Sequence, residues 1–341
     1  MNSNNKIIRS ICFFSKSPDE KSLSKLDALK SLFESKQFQV QTKRLVCPDL
    51  KKTLILDKQF SQKDCYLSAG SLSFEIIKNN FDKLLSSNNI AFNLDLTNFE
   101  INTDHVELLF NIINKYPAKT FNFTFVFNNP SSSPFFPSAN FEKDGFSVGL
   151  QPTDLAEGCN NLDEWLNKMK ETWLEINELL ADNQEFLGID SSVAPLNNGK
   201  SSFVNFVKKL TGDFSRSAMS DIYIQTTKFI KKENPKPIGL CGLMFPALED
   251  FELSDEYEKG NFTIERNIYL SLHSGLGIDT YPIGIDEKPD NILNVLKLVQ
   301  GLSNKYKKPL SARFVSDGKS KIGQKSDFKN KFLNDVIIRP L

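Results

Sequence analysis

Carboxylates follow several apolar, strand-like segments in the C-terminal half of the chain. Asp190 ends the run F-L-G-I-D, Glu249 and Asp250 follow residues 237–245, and Asp279 ends G-L-G-I-D. The carboxyl ends of parallel strands meet at one face of an α/β sheet. Carboxylates gathered there could form an acid/base pair or bind a divalent cation. The alternative is that Asp190 and Asp279 cap loops and helices through hydrogen bonds to nearby backbone N–H groups.

An arginine inside an apolar strand is the expected partner of these acids. Arg313 lies in L-S-A-R-F-V, and a charge that points inward needs a carboxylate or an anionic ligand beside it. One hypothesis is an enzyme that acts on a small polar or anionic molecule. Its catalytic residues would be Asp190, Asp279 and Glu249, and its substrate-binding residues Arg313 and Ser191. The other hypothesis is a non-catalytic ligand-binding or assembly protein, in which the same residues hold loops. Whether a metal takes part is left open.

A possible phosphate-binding loop has the wrong chemistry. Residues 194–201, A-P-L-N-N-G-K-S, fit a relaxed phosphate-loop pattern between a strand and a helix. Pro195 removes a backbone N–H from a loop whose role is to donate N–H groups to phosphate. No later strand reads as four apolar residues followed by an aspartate that would hold magnesium. We therefore expect no nucleotide here.

Cysteine and histidine usage points away from zinc and from disulfides. The five cysteines are scattered without any C-x-x-C spacing, which predicts a reduced compartment. We expect Cys241 to be buried and inert. His105 and His273 are the only histidines, and we expect His105 to be exposed and His273 to act as a helix cap.

The overall charge narrows the class of partner. Lys plus Arg and Asp plus Glu are both 42, which argues against nucleic-acid binding through a phosphate-neutralising surface. No apolar run approaches the ~20 residues that span a bilayer, and the N-terminus M-N-S-N-N-K does not read as a secretory signal. We expect a cytoplasmic protein with a small-molecule ligand and no membrane partner, and the sequence leaves a homo-oligomer open.

Strand and helix patterns alternate along the chain. Strands are predicted at 7–14, 38–46, 90–96, 121–127, 186–190, 237–245, through Asp279, and at 310–315. Helices are predicted at 23–33, 74–85, 104–116 with Asp104 as N-cap, 162–180, 203–210, 218–232, 263–274 and 291–306. This order predicts one α/β domain over residues 1–341, with a mostly parallel sheet, open or closed into a barrel, covered by helices. The proline-containing loop at 128–145 is long enough to be functional.

Several segments together resemble a known family. They are Arg9 and its strand, V-Q-T-K-R-L at 40–45, P-F-F-P-S-A at 134–139, F-S-V-G-L at 146–150, G-I-D-S-S-V-A-P at 188–195, residues 242–250, G-I-D-T-Y-P at 277–282, and Lys319, Gly323, Asp327 and Phe328. On these residues the chain resembles the domain-of-unknown-function family 711, which is related to pyruvate formate-lyase-like (PFL-like) proteins. The resemblance implies a large α/β barrel of mostly parallel-type strands with outer helices, as in glycyl-radical enzymes, and no established activity.

The resemblance does not extend to radical chemistry. A glycyl radical would need a glycine in a C-terminal R-V-x-G-type loop, and the terminus D-V-I-I-R-P-L has none. The chain also has Gly284 and Ile285 where the family pattern leads us to expect proline and glycine, so we expect a reshaped loop before Asp286. The expectation is therefore a barrel without a glycyl radical, and the sequence names no other cofactor.

Overall fold

The structure is a computed structural model that describes residues 6–341, apart from the side chain of Ser61. Residues 1–5, on which the expectation of no secretory signal partly rests, lie outside the described residues. The strands are β1 (Ile7–Phe14), β2 (Gln39–Val40), β3 (Lys43–Val46), β4 (Cys65–Ser71), β5 (Ile90–Asp95), β6 (Phe123–Phe127), β7 (Gly145–Leu150), β8 (Phe186–Asp190), β9 (Gly277–Pro282) and β10 (Leu310–Val315). The α-helices are α1 (Glu20–Ser35), α2 (Leu50–Phe60), α3 (Phe74–Asn79), α4 (Phe81–Leu85), α5 (Thr103–Lys115), α6 (Leu162–Leu179), α7 (Phe203–Thr211), α8 (Phe214–Ser217), α9 (Ile222–Glu233), α10 (Phe251–Glu258), α11 (Ile264–His273) and α12 (Pro289–Tyr306).

These strands form one ten-stranded sheet surrounded by helices. The strand order is β8-β7-β1-β3-β4-β5-β6-β10-β9, with β2 beside β1. Strands β1, β3, β4, β5 and β6 pair in parallel, as do β7 with β8 and β9 with β10. The five-stranded group joins the other two groups through antiparallel pairs, β1 with β7 and β6 with β10. The prediction of an α/β protein with a large, mostly parallel sheet is confirmed.

The first strand shows why polar residues inside this sheet are informative. All eight residues of β1, I-I-R-S-I-C-F-F, are buried, as expected for a strand that is covered on both faces. Six of them are apolar or cysteine, and Arg9 and Ser10 are the exceptions. Ser10 Oγ donates to the Pro134 carbonyl at 2.7 Å. The charge of Arg9 therefore has to be compensated inside the protein.

The apolar stripe predicted at 162–180 forms a core helix. In α6, Trp165, Met169 and Trp173 are fully buried, and the indole N–H of Trp165 donates to the Pro152 carbonyl at 2.8 Å. Burying each of these side chains stabilises the fold by roughly 1.5–3 kcal/mol. They belong to a single apolar cluster whose members run from Ile8 to Val336.

The prediction of a regular strand at 237–245 is wrong. Pro237 has no N–H for a ladder, and Gly239 and Cys241 have positive φ angles of 72° and 44°, which break the extended backbone. Residues 236–247, here called the linking segment, make only isolated parallel bridges. Their backbone hydrogen bonds include Ile189 N to Lys236 O (2.8 Å), Met244 N to Val193 O (2.9 Å), Leu276 N to Leu243 O (2.9 Å) and Ala247 N to Asp279 O (2.9 Å).

Other boundaries differ from the sequence patterns for local reasons. The strand predicted at 38–46 is divided into β2 and β3, and the helix at 74–85 is divided into α3 and α4 at Asn80. The N-cap of α5 is Asn102 rather than Asp104, and the expectation that His105 is exposed is wrong. His105 Nδ1 accepts the Asn102 N–H at 3.2 Å in a capping box. Within residues 6–341, no helix combines the length and apolar composition needed to cross a bilayer.

Candidate functional site

Three arginines and two carboxylates, all but one of them on strands of the sheet, lie close together. Arg9 is on β1, Arg44 on β3, Arg313 on β10 and Asp279 on β9, and Glu249 follows the linking segment. Arg9, Arg44, Arg313 and Glu249 are buried, whereas the side chain of Asp279 is 17% exposed. All five line one small cavity. The five residues are here called the arginine cluster.

Arg313 is fully engaged by protein groups. Its Nε lies 2.6 Å from Asp279 Oδ1, its Nη2 donates to Glu249 Oε1, and its Nη1 donates to the Phe121 carbonyl at 3.3 Å. Burial acts to lower the pKa of Arg313, but the charges of Asp279 and Glu249 outweigh burial and raise that pKa. The inward direction predicted for this side chain is what the structure shows.

A β-bulge places Asp279 beside Arg313. The register between β9 and β10 shifts by one residue, so that Asp279 and Thr280 together lie opposite Arg313. Thr280 has a φ of 40°, a left-handed conformation that is strained for a β-branched residue by roughly 1–3 kcal/mol. Bulges commonly re-aim a side chain next to functional sites. Asp279 Oδ2 accepts no hydrogen bond within the described part of the chain.

Glu249 bridges two arginines. Its Oε1 accepts from Arg313 and its Oε2 lies 3.3 Å from Arg9 Nη2. Burial raises the pKa of Glu249; Arg313 opposes this shift, and Asp279 adds to it. Both oxygens of Glu249 face guanidinium groups, and these contacts favour the charged carboxylate over the neutral acid. Burial lowers the pKa of Arg9, whose second donor contact is to Gln41 Oε1 at 3.3 Å.

Arg44 has no acidic partner among the described residues. Its Nε donates to Thr42 Oγ1 at 3.1 Å and its Nη1 donates to the Pro134 carbonyl at 3.1 Å, while Nη2 has no protein acceptor in the described chain. The ring of Phe136 lies 5.0 Å from its Cζ. Burial, and then the charge of Arg9, lowers the pKa of Arg44 to about 9, so the side chain is still charged at neutral pH. Three arginines face two carboxylates, and the cluster carries one excess positive charge.

A second and larger cavity, of about 230 Å³, adjoins the cluster, whereas the small one measures about 50 Å³. The residues that line both are Arg9, Arg44, Phe136, Pro137, Glu249 and Arg313. The larger cavity adds aromatic and amide side chains, namely Tyr66, Phe121, Phe332, Asn88, Asn89, Asn122 and Asn330. It therefore offers a charged wall, ring faces and neutral hydrogen-bonding groups.

Asp190 is not part of this cluster. It is fully buried at the end of β8, and its carboxylate accepts hydrogen bonds from Ser133 Oγ (2.7 Å), Ser192 Oγ (2.6 Å) and the N–H groups of Leu240 (2.9 Å) and Cys241 (3.1 Å). It lines neither cavity. The carboxylate anchors the strained loop of the linking segment to β8, as in the capping alternative.

Replacing Asp190 by alanine should lower the free energy of unfolding by about 3 kcal/mol or more, because several buried donors lose their acceptor. Urea denaturation would measure this, with Asp182→Ala as the control at an exposed aspartate. Unchanged stability together with altered ligand binding would instead place Asp190 in the site.

Ser191 and Asp250 also make structural contacts. Ser191 Oγ accepts from Asn234 Nδ2 at 2.9 Å, and it lines neither cavity. The Asp250 carboxylate accepts the N–H groups of Phe203 (2.9 Å) and Leu253 (3.3 Å). Asp250 thus ties the first turns of α7 and α10 together.

The phosphate-loop pattern at 194–201 does not form an open anion cradle. The Gly199 N–H donates to Glu252 Oε1 at 2.7 Å, and Lys200 Nζ lies 3.2 Å from Glu157 Oε2. Carboxylates thus occupy positions that phosphate oxygens would need. Calorimetry with ATP and Mg²⁺ should show no binding heat, and binding that disappears in Lys200→Ala would contradict this prediction.

Metal binding has no support from side-chain grouping. In the described part of the chain, no three His, Cys, Asp or Glu side chains come together in a way that could hold a metal ion. All five cysteines are unpaired and buried. Burial raises the pKa of the Cys241 thiol to about 11, which favours the inert thiol expected for it.

Arg9 and Arg44 are the site residues that sequence reasoning missed. Both stand inside buried strands, where an arginine is as conspicuous as Arg313. The signal was therefore present in the first fifty residues. The acids in the C-terminal half are the more conspicuous signal, because several of them follow apolar strands.

The comparisons with known proteins identify a family but no activity. No curated protein matches the sequence. The model of the family described as Uncharacterised ACR (DUF711) matches residues 54–329, a span that contains Glu249, Asp279 and Arg313, whereas Arg9 and Arg44 precede it. Because this match covers most of the chain, the protein belongs to the uncharacterised DUF711 family.

Proposed function

We propose that the protein binds a small organic anion in the 230 Å³ cavity, with Arg44 as the main anion-binding residue and Arg9 beside it. The observation that carries this proposal is the buried guanidinium of Arg44, which has no carboxylate partner within residues 6–341 and leaves its cluster with one excess positive charge. Arg313, the arginine expected to bind substrate, also lines this cavity and contacts Asp279 and Glu249, and its role toward the ligand stays a prediction.

The energetics favour a ligand. A buried charge without a counter-charge costs several kcal/mol. An anion placed against Arg44 would remove that cost and accept charge-assisted hydrogen bonds from Nη2. Solvent in the cavity would compensate the charge less well, because the surrounding rings of Phe136 and Phe121 are apolar.

Catalysis on the bound anion is the second proposal, and Asp279 is its best-supported residue. Asp279 lines the small cavity and not the larger one, so it would act on a part of the ligand that extends past Arg44 into the small cavity. It keeps one oxygen without a hydrogen bond in the described chain, and the bulge that includes the strained Thr280 positions it beside Arg313. Glu249 would position Arg9 and Arg313 rather than transfer a proton, because both of its oxygens are engaged. A protein that only binds its ligand would show the same affinity but no turnover.

We also propose that the sheet closes into a single barrel over the chain. Support comes from the linking segment, which hydrogen-bonds to residues 189–193 on one side and to residues 274–279 on the other. A relationship to glycyl-radical enzymes and to PFL-like proteins is part of this proposal. We further propose a reduced, cytoplasmic location, which the five unpaired cysteines support. The cluster would then lie on the inner wall of the barrel.

The proposal is tested by titrating the protein with sodium acetate and sodium benzoate at low ionic strength. Anion binding should raise the melting temperature and give a saturable heat in the calorimeter. The effect should disappear in Arg44→Met and persist in Arg216→Gln, a control at an exposed arginine. Equal responses of both variants would remove Arg44 from the site.

A further inference from the structure

We infer that the ligand is a monocarboxylate carried on a planar ring, and not a phosphate or a dicarboxylate. This inference rests on the proposed function, because it names the chemical class of anion that the same cavity would accept.

The charge of the site sets the charge of the ligand. The charged residues that line the larger cavity, within the described chain, are Arg9, Arg44, Arg313 and Glu249. Glu249 and Asp279 compensate two of the three arginines. A ligand with a single negative charge would neutralise the remaining one. A second carboxylate, or a phosphate dianion, would enter with an excess negative charge and without a further cation to receive it.

The shape of the cavity favours a flat ligand. Phe136 lies against the guanidinium of Arg44, with 5.0 Å between Cζ and the ring centroid, and Phe121 lies 5.1 Å from Arg313 Cζ. Phe121 and Phe332 are nearly parallel, with an interplanar angle of 8° and 6.4 Å between centroids. Ring faces of this kind stack on planar apolar groups. A ring that extends from a carboxylate bound at Arg44 would meet the aromatic side chains that line this cavity, namely Phe121, Phe136, Phe332 and Tyr66.

The volume is consistent with a ring of this size. A dry protein cavity of about 150 Å³ is large enough to hold benzene. The present cavity of about 230 Å³ has room for a six-membered ring and a carboxylate. It is smaller than the roughly 300–1,000 Å³ typical of sites for drug-sized ligands. The amides of Asn89, Asn122 and Asn330 provide neutral partners for a hydroxyl or amide substituent on the ring.

The test compares benzoate, acetate, succinate and inorganic phosphate by calorimetry with the full chain. Benzoate should bind at least tenfold more tightly than acetate and than either dianion, and neutral benzamide should bind more weakly than benzoate. Phe332→Ala should lower the affinity for benzoate severalfold and leave the affinity for acetate unchanged. Loss of both affinities to the same extent in this variant would contradict a ring-stacking role.

Asp279→Asn tests the charge argument separately. The substitution raises the excess positive charge of the cluster from one to two. The ratio of the affinity for succinate to the affinity for benzoate should therefore rise at least fivefold. The exposed control Asp182→Asn should leave this ratio unchanged. An unchanged ratio in a folded Asp279→Asn protein would overturn the charge argument. Acetate binding without any advantage for benzoate would overturn the inference and leave the proposed function intact. Failure of every anion to bind would overturn the proposed function itself.

Discussion

Replacing Arg313 by methionine should lower the free energy of unfolding by about 3–5 kcal/mol, the usual effect of removing one partner of a buried ion pair. Arg313 contacts Asp279 and Glu249 simultaneously. Without it, Asp279 has no cationic partner in the described chain, and Glu249 retains only Arg9 at 3.3 Å. Chemical denaturation at pH 7 would measure the loss.

The Arg313→Met variant should also acquire a new pH dependence. Burial already raises the pKa of Glu249 above its ordinary 4.5, and losing Arg313 would raise it further. The folded variant would then hold protons that the unfolded chain has released. Its stability relative to the wild type should therefore be greatest below pH 4.5 and should decrease as the pH rises through the folded pKa.

The double variant Arg313→Met with Asp279→Asn is the matched control. Removing both charges should restore part of the lost stability, so the two substitutions should be strongly non-additive. Additive losses, or an Arg313→Met protein as stable as the wild type, would show that the ion pairs are not coupled as the contacts indicate.

Replacing Arg44 by methionine should have the opposite effect on stability while strongly weakening anion binding. Replacing buried ion pairs by apolar groups of similar volume is often neutral or stabilising, by about 1–4 kcal/mol, and Arg44 has no carboxylate partner that its removal would leave unpaired. The acceptors of Arg44 would not be stranded, because Ser10 Oγ also donates to the Pro134 carbonyl at 2.7 Å and Thr42 Oγ1 itself donates to the Arg9 carbonyl at 2.6 Å. We therefore expect a higher melting temperature.

The same substitution should weaken anion binding by about 30-fold or more, because truncating one partner of a buried charge pair typically costs 2–5 kcal/mol of affinity. A residue whose presence lowers the stability of the folded protein is expected at a functional site, where binding and stability have different requirements. Thermal unfolding without ligand would provide the stability measurement. A clear decrease in melting temperature would indicate that Arg44 is a structural residue.

More of the fold than of the candidate site is predictable from the sequence. The apolar runs of β1 and β10 were predicted residue for residue, because strands buried on both faces leave little choice of residue type. The linking segment was not predicted correctly, because its isolated bridges depend on partners at 189–193 and 274–279. A local pattern contains no information about those partners.

Only tertiary contacts distinguish the two aspartates Asp190 and Asp279. Asp190 and Asp279 have the same local context, an apolar run containing G-I-D. Asp190 is engaged by a loop about fifty residues away, whereas a one-residue bulge directs Asp279 toward Arg313. Neither the loop nor the bulge can be read from the sequence around the aspartate. Arg44, by contrast, could have been selected as a charge inside a buried strand.

The most direct test of the anion-binding account is a calorimetric titration of the wild-type protein and of Arg44→Met with sodium benzoate, at neutral pH and low ionic strength. The account predicts saturable one-site binding to the wild type, and no measurable heat for an Arg44→Met protein that is folded and at least as stable. Equal binding by the two proteins, or no binding by the wild type, would contradict it.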